Sequence, residues 1–590
     1  MSSSYYLATT ALYDLWDMEA DLILLGPWCL TKKSLEHLPD GKQYSFAASP
    51  WYPTIQRKNA AAYCEELNEK IMHLLSNNMN QIHNVDYPEK YWRILLGSWL
   101  THFILTYYDR YLRLKKALET CPEFYTSVLP EEKCNPASYS VEDFTVGLNS
   151  KSRSEFHNYM IFSLFAHKIC LGRTVENDYI VETNINVMER SRKSKLFNTT
   201  LLYIDRILGG KILLSEMYHV SLKDLLRLRI KLGINYANYF DFIYGNIHKE
   251  DFIKGHFSNE LRERLCFDAA SDEFQSILFQ VIPYAIPMSY VERFWFYKKM
   301  INPLPCYKAV VSAVGWNSNT CFIFYAAESG MKGTKLIKVQ HGGNYGQALS
   351  TTSETLALNK DHYYTWGWKR DESNKAIPLP SPYLTNIKNT AIGGINRIIF
   401  VGTTVPRYKH RIDSSLYPDD MEKYFGDKKK FLMALSDNIL KRTLYRPRNE
   451  IGWNEVGKIR SIDTCIEIIT KGKLTDWMKK AKTVVIDHPH TAFLEALTIN
   501  VPSVFFWDHD IFLMRQEAEP YFQVLRDAGI LYKDPVSAAR KVNEIFDDPE
   551  EWWHSNTVQN ARKEFCDRFA YARKDWMDVW VKELRKLYNK

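Results

Sequence analysis

Several features that would point to a special class of protein are missing from this sequence of 590 residues. It shows no internal repeat and no low-complexity tract, so neither a repeat array nor a disordered tail is indicated. The ten cysteines form no C-x-x-C pair and no regular spacing. In a chain of this length that pattern indicates reduced thiols in a cytosol and not a disulfide framework. Residues 1–8 lack a basic region followed by an apolar stretch, so we expect no signal peptide.

Long apolar runs are scarce as well. The best membrane candidate, Ile94–Tyr107, contains His102 and is bracketed by Arg93 and Asp109. A helix that spans a bilayer needs about 20 apolar residues, so we interpret this shorter run as a buried helix. The protein is therefore expected to be cytoplasmic, and peripheral association with the inner membrane stays open.

Strong charge of one sign is missing too. The net charge is +7, and the basic runs, such as residues 428–430 and 479–480, are short. A nucleic-acid binder usually concentrates its positive charge in patches, and no nucleic-acid motif is present, so we expect no nucleic-acid partner. The small positive surplus suits an anionic substrate or weak attraction to an anionic membrane surface.

What the sequence does have is an ordinary globular composition, with 46% hydrophobic and 25% charged residues. Its length exceeds what one hydrophobic core supports, so two or three domains are expected. Strand-like apolar runs alternate with helical patterns in two series. The predicted strands are 21–26, 307–312, 335–340 and 362–368 in the first series, and 397–402, 443–447, 483–487 and 503–507 in the second. This alternation predicts an α/β fold with two facing Rossmann-like domains and a large helical insertion in the N-terminal half.

The domain boundaries are predicted from a polar, proline-containing stretch between the two series. The predicted parts are an acceptor domain at 1–375 with its helical insertion at about 58–293, a linker at 376–394, a nucleotide-sugar-binding domain at 395–560 and a C-terminal helix at 561–590. The aromatic C-terminal helix has two alternatives: it packs back on the N-terminal domain, or it lies on a membrane through a basic, Trp-rich face.

The most informative segment is the strand end at Asp487 and the helix that follows it. Thr491 begins the helix, and a helix N-terminus binds anions through free backbone N–H groups and the helix dipole. Glu495 lies one turn later on the same face, where it can reach a ribose or sugar hydroxyl beside a phosphate. The sequence therefore predicts a nucleotide site here.

Two other strand ends of the second series are expected to meet the same crevice, because ligands bind at the carboxyl ends of parallel strands. Gly402, Thr403 and Thr404 follow the first strand, where small residues let the backbone approach a phosphate. Arg446 and Arg448 follow the next strand, and arginine binds phosphate oxygens in two-pronged fashion.

His341 lies in the sequence Gln340–Gly343 at a strand end of the first series. A histidine here can act as general base on an acceptor hydroxyl, or donate a hydrogen bond to the leaving phosphate of the donor. We predict it as the catalytic residue. Cys29, at the end of the first strand, has no His or carboxylate partners nearby in sequence and is expected to pack at the strand end.

The order of these segments resembles the GT-B glycosyltransferases across most of the chain, with specific motifs in the second half only. The Thr491 and Glu495 element looks like the sugar-nucleotide site of that class. Residues 6–10 and 25–29 are similar to a family of transferases associated with bacterial O-antigen and surface-carbohydrate biosynthesis regions.

The pair His488-Pro489 resembles the HP motif of GT-B members that use CMP-activated 2-keto sugar acids, such as nonulosonic acids or Kdo. The resemblance implies that the nucleotide phosphate is held by His488, Pro489 and Thr491. It also implies that Glu495 binds a ribose hydroxyl and that His341 lies near the reacting carbon. The implied function is transfer of such a sugar from CMP to a bacterial surface glycan or lipid-linked glycan. No cofactor and no metal is expected, because helix dipole, Thr and Arg neutralise the leaving phosphate.

Alternative functions stay open. The donor can be a UDP-, GDP- or TDP-sugar, and the same fold can serve an epimerase, a polyol-phosphate transferase or a non-catalytic binding module. A metal-dependent hydrolase is a further alternative. Its candidate ligands are Asp487, His488, His490, Asp508, His509 and Asp510, a set that suits Zn²⁺ or Mn²⁺.

Overall fold

The computed structural model describes residues 5–588 with internal gaps. The residues left out are 122, 150–152, 170, 172, 178, 180–191, 237–239, 241–255, 268–269, 350–351, 371–373, 389–393, 414–415 and 449. The predicted helical insertion and the predicted linker therefore fall partly outside the described residues.

The described strands pair in parallel and form three sheets. The strands are β1 Tyr5–Ala8, β2 Asp21–Leu24, β3 Tyr44–Phe46, β4 Phe124–Val128, β5 Thr174–Glu176, β6 Ile212–Ser215, β7 Asn235–Tyr236, β8 Ala309–Ser312, β9 Lys335–Val339, β10 His362–Thr365, β11 Ala376–Pro378, β12 Ile395–Val401, β13 Thr443–Arg446, β14 Glu467–Ile468, β15 Ala481–Ile486, β16 Ser503–Phe506 and β17 Leu531–Tyr532. Their orders are β3-β2-β1-β4-β5, β11-β10-β9-β8-β6-β7 and β14-β13-β12-β15-β16-β17.

Helices connect most of these strands. They are α1 Lys32–His37, α2 Ile55–His83, α3 Glu89–Thr120, α4 Val141–Asn149, α5 Ser154–Lys168, α6 Arg192–Leu208, α7 Leu222–Leu232, α8 Asn259–Glu263, α9 Glu273–Ala285, α10 Phe294–Ile301, α11 Gly315–Ser318, α12 Thr320–Met331, α13 Thr352–Leu358, α14 Pro382–Lys388, α15 Met421–Met433, α16 Asp437–Leu440, α17 Glu455–Arg460, α18 Leu474–Met478, α19 Thr491–Ile499, α20 Glu519–Asp527, α21 Pro535–Ile545, α22 Pro549–Trp553, α23 Asn556–Phe569 and α24 Trp576–Arg585.

The predicted α/β class with parallel sheets is confirmed, and the structure has three such sheets where two were predicted. The additional sheet, β3-β2-β1-β4-β5, includes the strands β1 and β3, which were not predicted, and the strands β4 and β5 from the stretch predicted to be a helical insertion. That stretch contains the long helices α2 and α3, and also the strands β4 to β7. Short apolar runs such as Ile212–Ser215 cannot be told from helix segments by periodicity alone, which is why these strands were missed.

The predicted linker also contains regular structure, namely strand β11 and helix α14. The chain divides into two compact units whose limits differ from the predicted domain boundaries. One unit comprises Met1–Glu216, Gly233–Leu336 and Pro406–Asp413, and the other comprises Met217–Leu232, Ile337–Val405 and Ser414–Lys590. Each unit is thus assembled from separate stretches of sequence.

The strand and helix that carry the predicted nucleotide site form for clear local reasons. In β15, Thr483 to Ile486 are fully buried β-branched residues, as expected for a central strand paired on both sides, here with β12 and β16. The helix α19 begins at Thr491 and ends where Asn500 adopts a left-handed conformation with φ of 66°. The strand end and helix start therefore lie where the sequence predicted them.

The apolar run Ile94–Tyr107 lies within α3, and its large side chains are buried in the protein. Across the described ranges, no helix combines the length and apolar character needed to cross a membrane.

Cys29 is fully buried, and burial raises the pKa of its thiol to about 12. Its thiol contacts the carbonyl oxygen of Ala8 at 3.4 Å, so it packs at the strand end as expected.

The C-terminal helix α24 is held by contacts within its own unit. Trp580 is 1% exposed, its indole N–H donates to the carbonyl oxygen of Pro380 at 2.8 Å, and its ring contacts Tyr364 edge to face at 5.5 Å. Trp576, one turn earlier, is also buried. The two tryptophans that suggested a membrane-binding face are therefore covered by protein.

We predict that Trp580→Ala lowers the free energy of unfolding by about 3–5 kcal/mol, because it leaves a large cavity and an unpaired carbonyl. Urea titration of the parent and the variant measures the change. Trp295→Ala is the matched control, since Trp295 is 55% exposed and should cost less than about 1 kcal/mol. Equal losses in the two variants would show that α24 is not docked as described.

Candidate functional site

The turn that carries His341 is fixed by the side chain of Gln340. Its carbonyl oxygen accepts hydrogen bonds from the backbone N–H of Trp366 and the indole N–H of Trp368, both at 2.8 Å. Its amide nitrogen donates to the carbonyl oxygen of Gly342 at 2.8 Å. Because Gln340 is buried and its side-chain amide makes these three hydrogen bonds, the turn after β9 has a defined shape.

This turn contacts the N-terminus of α19 directly. The backbone N–H of Gly343 donates to the hydroxyl oxygen of Thr491 at 2.9 Å. A Cβ at residue 343 would lie 2.8 Å from the backbone carbon of His490 and from the backbone nitrogen of Thr491. Only glycine permits this approach, so the contact brings together the predicted His341 turn and the predicted anion site at Thr491.

His341 is half-buried beside two tyrosines. Its Nε2 lies 3.4 Å from the hydroxyl of Tyr345, and its ring meets the ring of Tyr218 edge to face at 6.0 Å. A tyrosine hydroxyl at this position can orient the imidazole and exchange a proton with it. His341 is therefore placed in a polar, aromatic environment suited to acid or base chemistry.

Glu495 is 8% exposed and accepts a hydrogen bond from the hydroxyl of Tyr383. Burial raises the pKa of Glu495 to about 7. The ring of His219 stacks on Tyr383 with centroids 4.6 Å apart. The pKa of His219 is lowered, first by burial and then by the charge of Lys473. The structure thus adds Tyr383 and His219 to the predicted Glu495.

The sequence analysis missed Tyr218, His219 and Tyr383. Tyr383 lies 112 residues before Glu495 and fell in the predicted linker, while the other two fell in the stretch predicted to be helical. No local pattern connects such distant positions. A Tyr after the Pro-rich Pro378–Pro382 segment was visible in the sequence, but it carried no spacing signal toward Glu495.

A second group of polar residues is fully buried at the ends of β12, β13 and β15. The ammonium of Lys428 donates to the carboxylate of Asp487 at 2.5 Å, and the hydroxyl of Tyr424 donates to the same carboxylate at 2.5 Å. The Nδ1 of His488 lies 3.0 Å from Asp487. Burial lowers the pKa of His488, so the imidazole is neutral at pH 7 and presents Nδ1–H to the carboxylate.

Glu455 completes this buried group. It accepts a hydrogen bond from the hydroxyl of Tyr445 at 2.5 Å and lies 3.7 Å from the ammonium of Lys428. Burial raises the pKa of Glu455 to about 7. Any Cβ at Gly402 would collide with the Tyr445 hydroxyl and the Lys428 ammonium. The absence of a side chain at Gly402 therefore makes room for a buried cation, a reason that the sequence did not reveal.

The remaining predicted residues divide into two groups. Arg448 donates to the carbonyl oxygen of Thr404 at 3.1 Å, and its charge acts on His488, so the structure brings these three together. Thr403 and Thr404 are buried, as is Pro489.

Arg446 is engaged elsewhere. Its guanidinium donates to the carbonyl oxygens of Lys471 and Gly472, both at 2.9 Å, after strand β14. Arg446 therefore stabilises the loop between β14 and α18 through these hydrogen bonds. The side chain of Arg448, by contrast, is exposed.

The alternative metal site finds little support in the ligand geometry. Both oxygens of Asp487 already accept hydrogen bonds, from Tyr424, Lys428 and His488. Asp508 pairs with Lys423 and accepts the backbone N–H of Asp510. Within the part of the chain that the structure describes, no group of three or more His, Cys, Asp or Glu side chains is arranged to hold a metal ion.

The family of the chain is shown by a match to the model of the LIC12162 family of transferases over residues 5–584. The chain belongs to this family, and the predicted transferase class is confirmed. No curated protein matches the chain.

Several solved structures share a limited likeness with this fold. They include the pneumococcal O-GlcNAc transferase GtfA in complex with UDP and GlcNAc, at 10% identity over 51% of this chain and 60% of that chain with a TM-score of 0.31. MurG of Acinetobacter baumannii matches at 10% identity over 64% of this chain and 100% of the MurG chain, with a TM-score of 0.33. A UDP-N-acetylglucosamine 2-epimerase matches at 10% identity over 64% of this chain and 97% of the epimerase chain, with a TM-score of 0.34. This chain thus spans only 60% of the length of the GtfA chain.

We predict that Lys428→Met lowers the free energy of unfolding by about 3–5 kcal/mol, because it leaves the Asp487 carboxylate buried without its cation. Combining it with Asp487→Asn should recover part of the loss. Lys423→Met on the same helix is the matched control. The side chain of Lys423 is 53% exposed, and its pairing with Asp508 should be worth less than about 1 kcal/mol. Chemical denaturation at pH 7 measures the free energy of unfolding of each variant. Equal losses in Lys428→Met and Lys423→Met would contradict the central role of Lys428.

The raised pKa values of Glu495 and Glu455 predict a pH dependence. Below pH 4.5 both groups are protonated in the folded and unfolded states, so they do not change the free energy of unfolding. Between pH 4.5 and about 7 the unfolded chain ionises while the folded protein keeps the protons, so stability falls as pH rises through this range. Glu495→Gln should flatten the fall by up to about 3 kcal/mol. Unfolding free energies at pH 5 and pH 7.5 test this, and an unchanged slope would contradict the buried, protonated state.

Proposed function

We propose that this transferase is a metal-independent glycosyltransferase that uses a nucleotide-sugar donor. The observation that carries the proposal is the contact between the His341 turn and the N-terminus of α19, one helical turn from the buried Glu495. A candidate acid-base group, an anion-binding helix end and a hydroxyl-binding carboxylate thus belong to one local group. These are the parts that displacement of a nucleotide leaving group requires.

The donor phosphate is assigned to the N-terminus of α19. The nine-residue helix directs its first backbone N–H groups and its positive dipole end toward the turn at His341. Thr491 supplies a hydroxyl, and the exposed Arg448 beside Thr404 supplies the positive charge. Together they would neutralise the phosphate charge that develops as the glycosidic bond to the donor breaks.

Glu495 and Tyr383 are assigned to a ribose or sugar hydroxyl of the donor. A carboxyl with a pKa near 7 can accept a hydrogen bond when ionised or donate one when protonated, so it suits a hydroxyl partner in either state. His341 is assigned to the reaction itself, as general base on the acceptor hydroxyl or as hydrogen-bond donor to the leaving phosphate.

For the donor we favour a CMP-activated 2-keto sugar acid of the nonulosonic acid or Kdo type. The support is the His488-Pro489 pair, together with the neutral His488 held by Asp487 next to Arg448. A UDP-, GDP- or TDP-sugar is the second candidate. The acceptor is proposed to be a bacterial surface glycan or its lipid-linked precursor, with peripheral attachment to the inner membrane.

A thermal-shift screen of the EDTA-treated protein tests the proposal. The nucleotides are CMP, CDP, UMP, UDP, GDP, TDP and ADP. A ligand that binds only the folded state raises the melting temperature. We expect a rise with CMP. A rise with UDP, GDP or TDP alone would keep the glycosyltransferase and discard the CMP donor, and no rise with any of them would contradict the proposal.

Two variants separate binding from chemistry. His341→Ala should leave the nucleotide-induced shift intact and reduce turnover by about 10²–10⁴-fold, because it removes a proton-transfer group. Glu495→Ala should weaken the nucleotide-induced shift. His554→Ala is the matched control, since His554 is exposed and pairs with Glu550 one turn away on the surface. If both site variants behaved like the control, the assigned site would be wrong.

A further inference from the structure

The helices α10 and α12, together with the segments that follow them, enclose a cavity of about 260 Å³. These segments lead into the strands β8 and β9, so the cavity lies at the amino ends of the two strands. The substrates of a parallel sheet bind at the carboxyl ends of its strands. The usual substrate position of such a sheet therefore does not explain this cavity.

Lysine side chains supply most of the charge in the lining. Lys298, Lys299 and Lys332 line the cavity, together with the acidic residue Glu328. The ammonium of Lys298 lies 3.0 Å from the carboxylate of Glu328, so these two charges are paired. Lys299 and Lys332 are exposed, and within the described ranges neither pairs with an acidic side chain. Their two ammonium groups are therefore available to an anion from outside the protein.

The ends of the two helices account for part of this positive charge only. Lys299 lies in the last turn of α10, and Lys332 directly follows α12. A helix C-terminus carries about −0.5 elementary charge, so the two ends together offset about one of the two unpaired lysines. The cavity therefore keeps a net positive charge.

Trp295 adds an apolar surface beside these charges. Its side chain lines the cavity and is 55% exposed. The ammonium of Lys298 lies 5.2 Å from the centre of the indole ring, and the ring of Phe294 meets it edge to face at 5.3 Å. These contacts hold the indole in place, so it offers a flat apolar surface next to polar groups.

Uncharged and acidic hydrogen-bonding groups complete the lining. Asn302 is exposed, and its amide can both donate and accept. Among the described residues, the hydroxyl of Tyr91 and the ammonium of Lys298 both contact Oε1 of Glu328, at 2.8 Å and 3.0 Å. The Oε2 atom of the same carboxylate can accept a hydrogen bond from a ligand hydroxyl. The lining thus suits a ligand that carries hydroxyl groups.

We propose that this cavity binds an acidic sugar residue of an oligosaccharide. The sugar carboxylate pairs with Lys299 and Lys332, and the apolar face of the sugar ring stacks on Trp295. Its hydroxyls bind Asn302 and Glu328. A small inorganic anion would leave the indole unused, and a neutral sugar would leave the two lysines unused. A nucleotide is disfavoured by the amino-end position and by the volume, which is below the about 300–1,000 Å³ typical of sites for larger ligands.

The proposal deepens the proposed function and rests on it only for the source of the oligosaccharide. Transfer of a 2-keto sugar acid adds a carboxylate to the glycan, so the product carries the group that this cavity would recognise. A site at the amino ends of the strands would hold the glycan without taking part in the reaction.

Alkylation of Cys306 reports whether the cavity is occupied. Cys306 lines the cavity and is exposed, whereas Cys266 is exposed but does not line it. The full-length protein is treated with iodoacetamide in the presence of trigalacturonic acid or α2,8-linked disialic acid, and the labelled peptides are quantified by mass spectrometry. At least one of these acidic sugars should suppress the labelling of Cys306 saturably and leave the labelling of Cys266 unchanged.

Three variants test the contacts. Lys299→Gln with Lys332→Gln should raise the sugar concentration needed for half-maximal protection by about three- to tenfold, because two ion pairs are lost. Trp295→Ala should raise it by about tenfold, because the stacking surface is removed. Lys335→Gln is the matched control, since Lys335 is exposed on β9 but does not line the cavity, and it should change this concentration by less than about twofold.

No protection of Cys306 by either acidic sugar would overturn the proposal. Equal protection by the uncharged methyl ester of trigalacturonic acid would do the same, and protection by CMP or UDP would make the cavity a nucleotide site. The nucleotide-induced thermal shift is measured on the same samples. A nucleotide shift without protection by sugars would overturn this inference and leave the proposed function standing. Protection by an acidic sugar without any nucleotide shift would contradict the proposed function and leave the sugar site standing.

Discussion

The polar side chains at the strand ends of the C-terminal sheet are arranged around the buried ammonium of Lys428. It is fully buried and lies between the carboxylates of Asp487 and Glu455. A buried charge is tolerated only when it is paired and hydrogen-bonded, so these side chains must keep their mutual positions. They come from β15, from α17 and from α15, and Tyr445 adds β13. A single cation therefore fixes the relative positions of four elements, and Gly402, directly after β12, must stay without a side chain to leave room for it.

The effect of Lys428 extends to the proposed donor site through Asp487 and His488. With its carboxylate held by Lys428 and Tyr424, Asp487 accepts the Nδ1–H of His488 and so sets the orientation of the imidazole. His488 is followed three residues later by Thr491, the first residue of α19. The buried Lys428–Asp487 pair thus fixes the position of the strand end and of the turn that follows it. That turn determines where the helix that is proposed to bind phosphate begins.

The parts of this structure that could be predicted from sequence are those with a local signal. Long apolar strands that end on polar residues, such as β15 before Asp487, were placed within one or two residues. The short strands β1, β3, β4 and β5 had no such signal, so the sheet that they form with β2 went unrecognised. Lys428 and Tyr383 were missed because they meet Asp487 and Glu495 across 59 and 112 residues of sequence. Only folding makes such pairs adjacent, and burial, not spacing, raises the pKa of Glu495.

The hydroxyl of Thr491 connects the two functional assignments. In the structure it accepts a hydrogen bond from the N–H of Gly343, which uses one of its oxygen lone pairs and leaves its own O–H free to donate. A phosphate at the helix N-terminus is an acceptor and would take that O–H. The same hydroxyl can therefore hold the His341 turn and the phosphate at once. Donor binding would then polarise the Thr491 hydroxyl and strengthen its bond to Gly343, so that occupation of the phosphate site steadies the turn that presents His341.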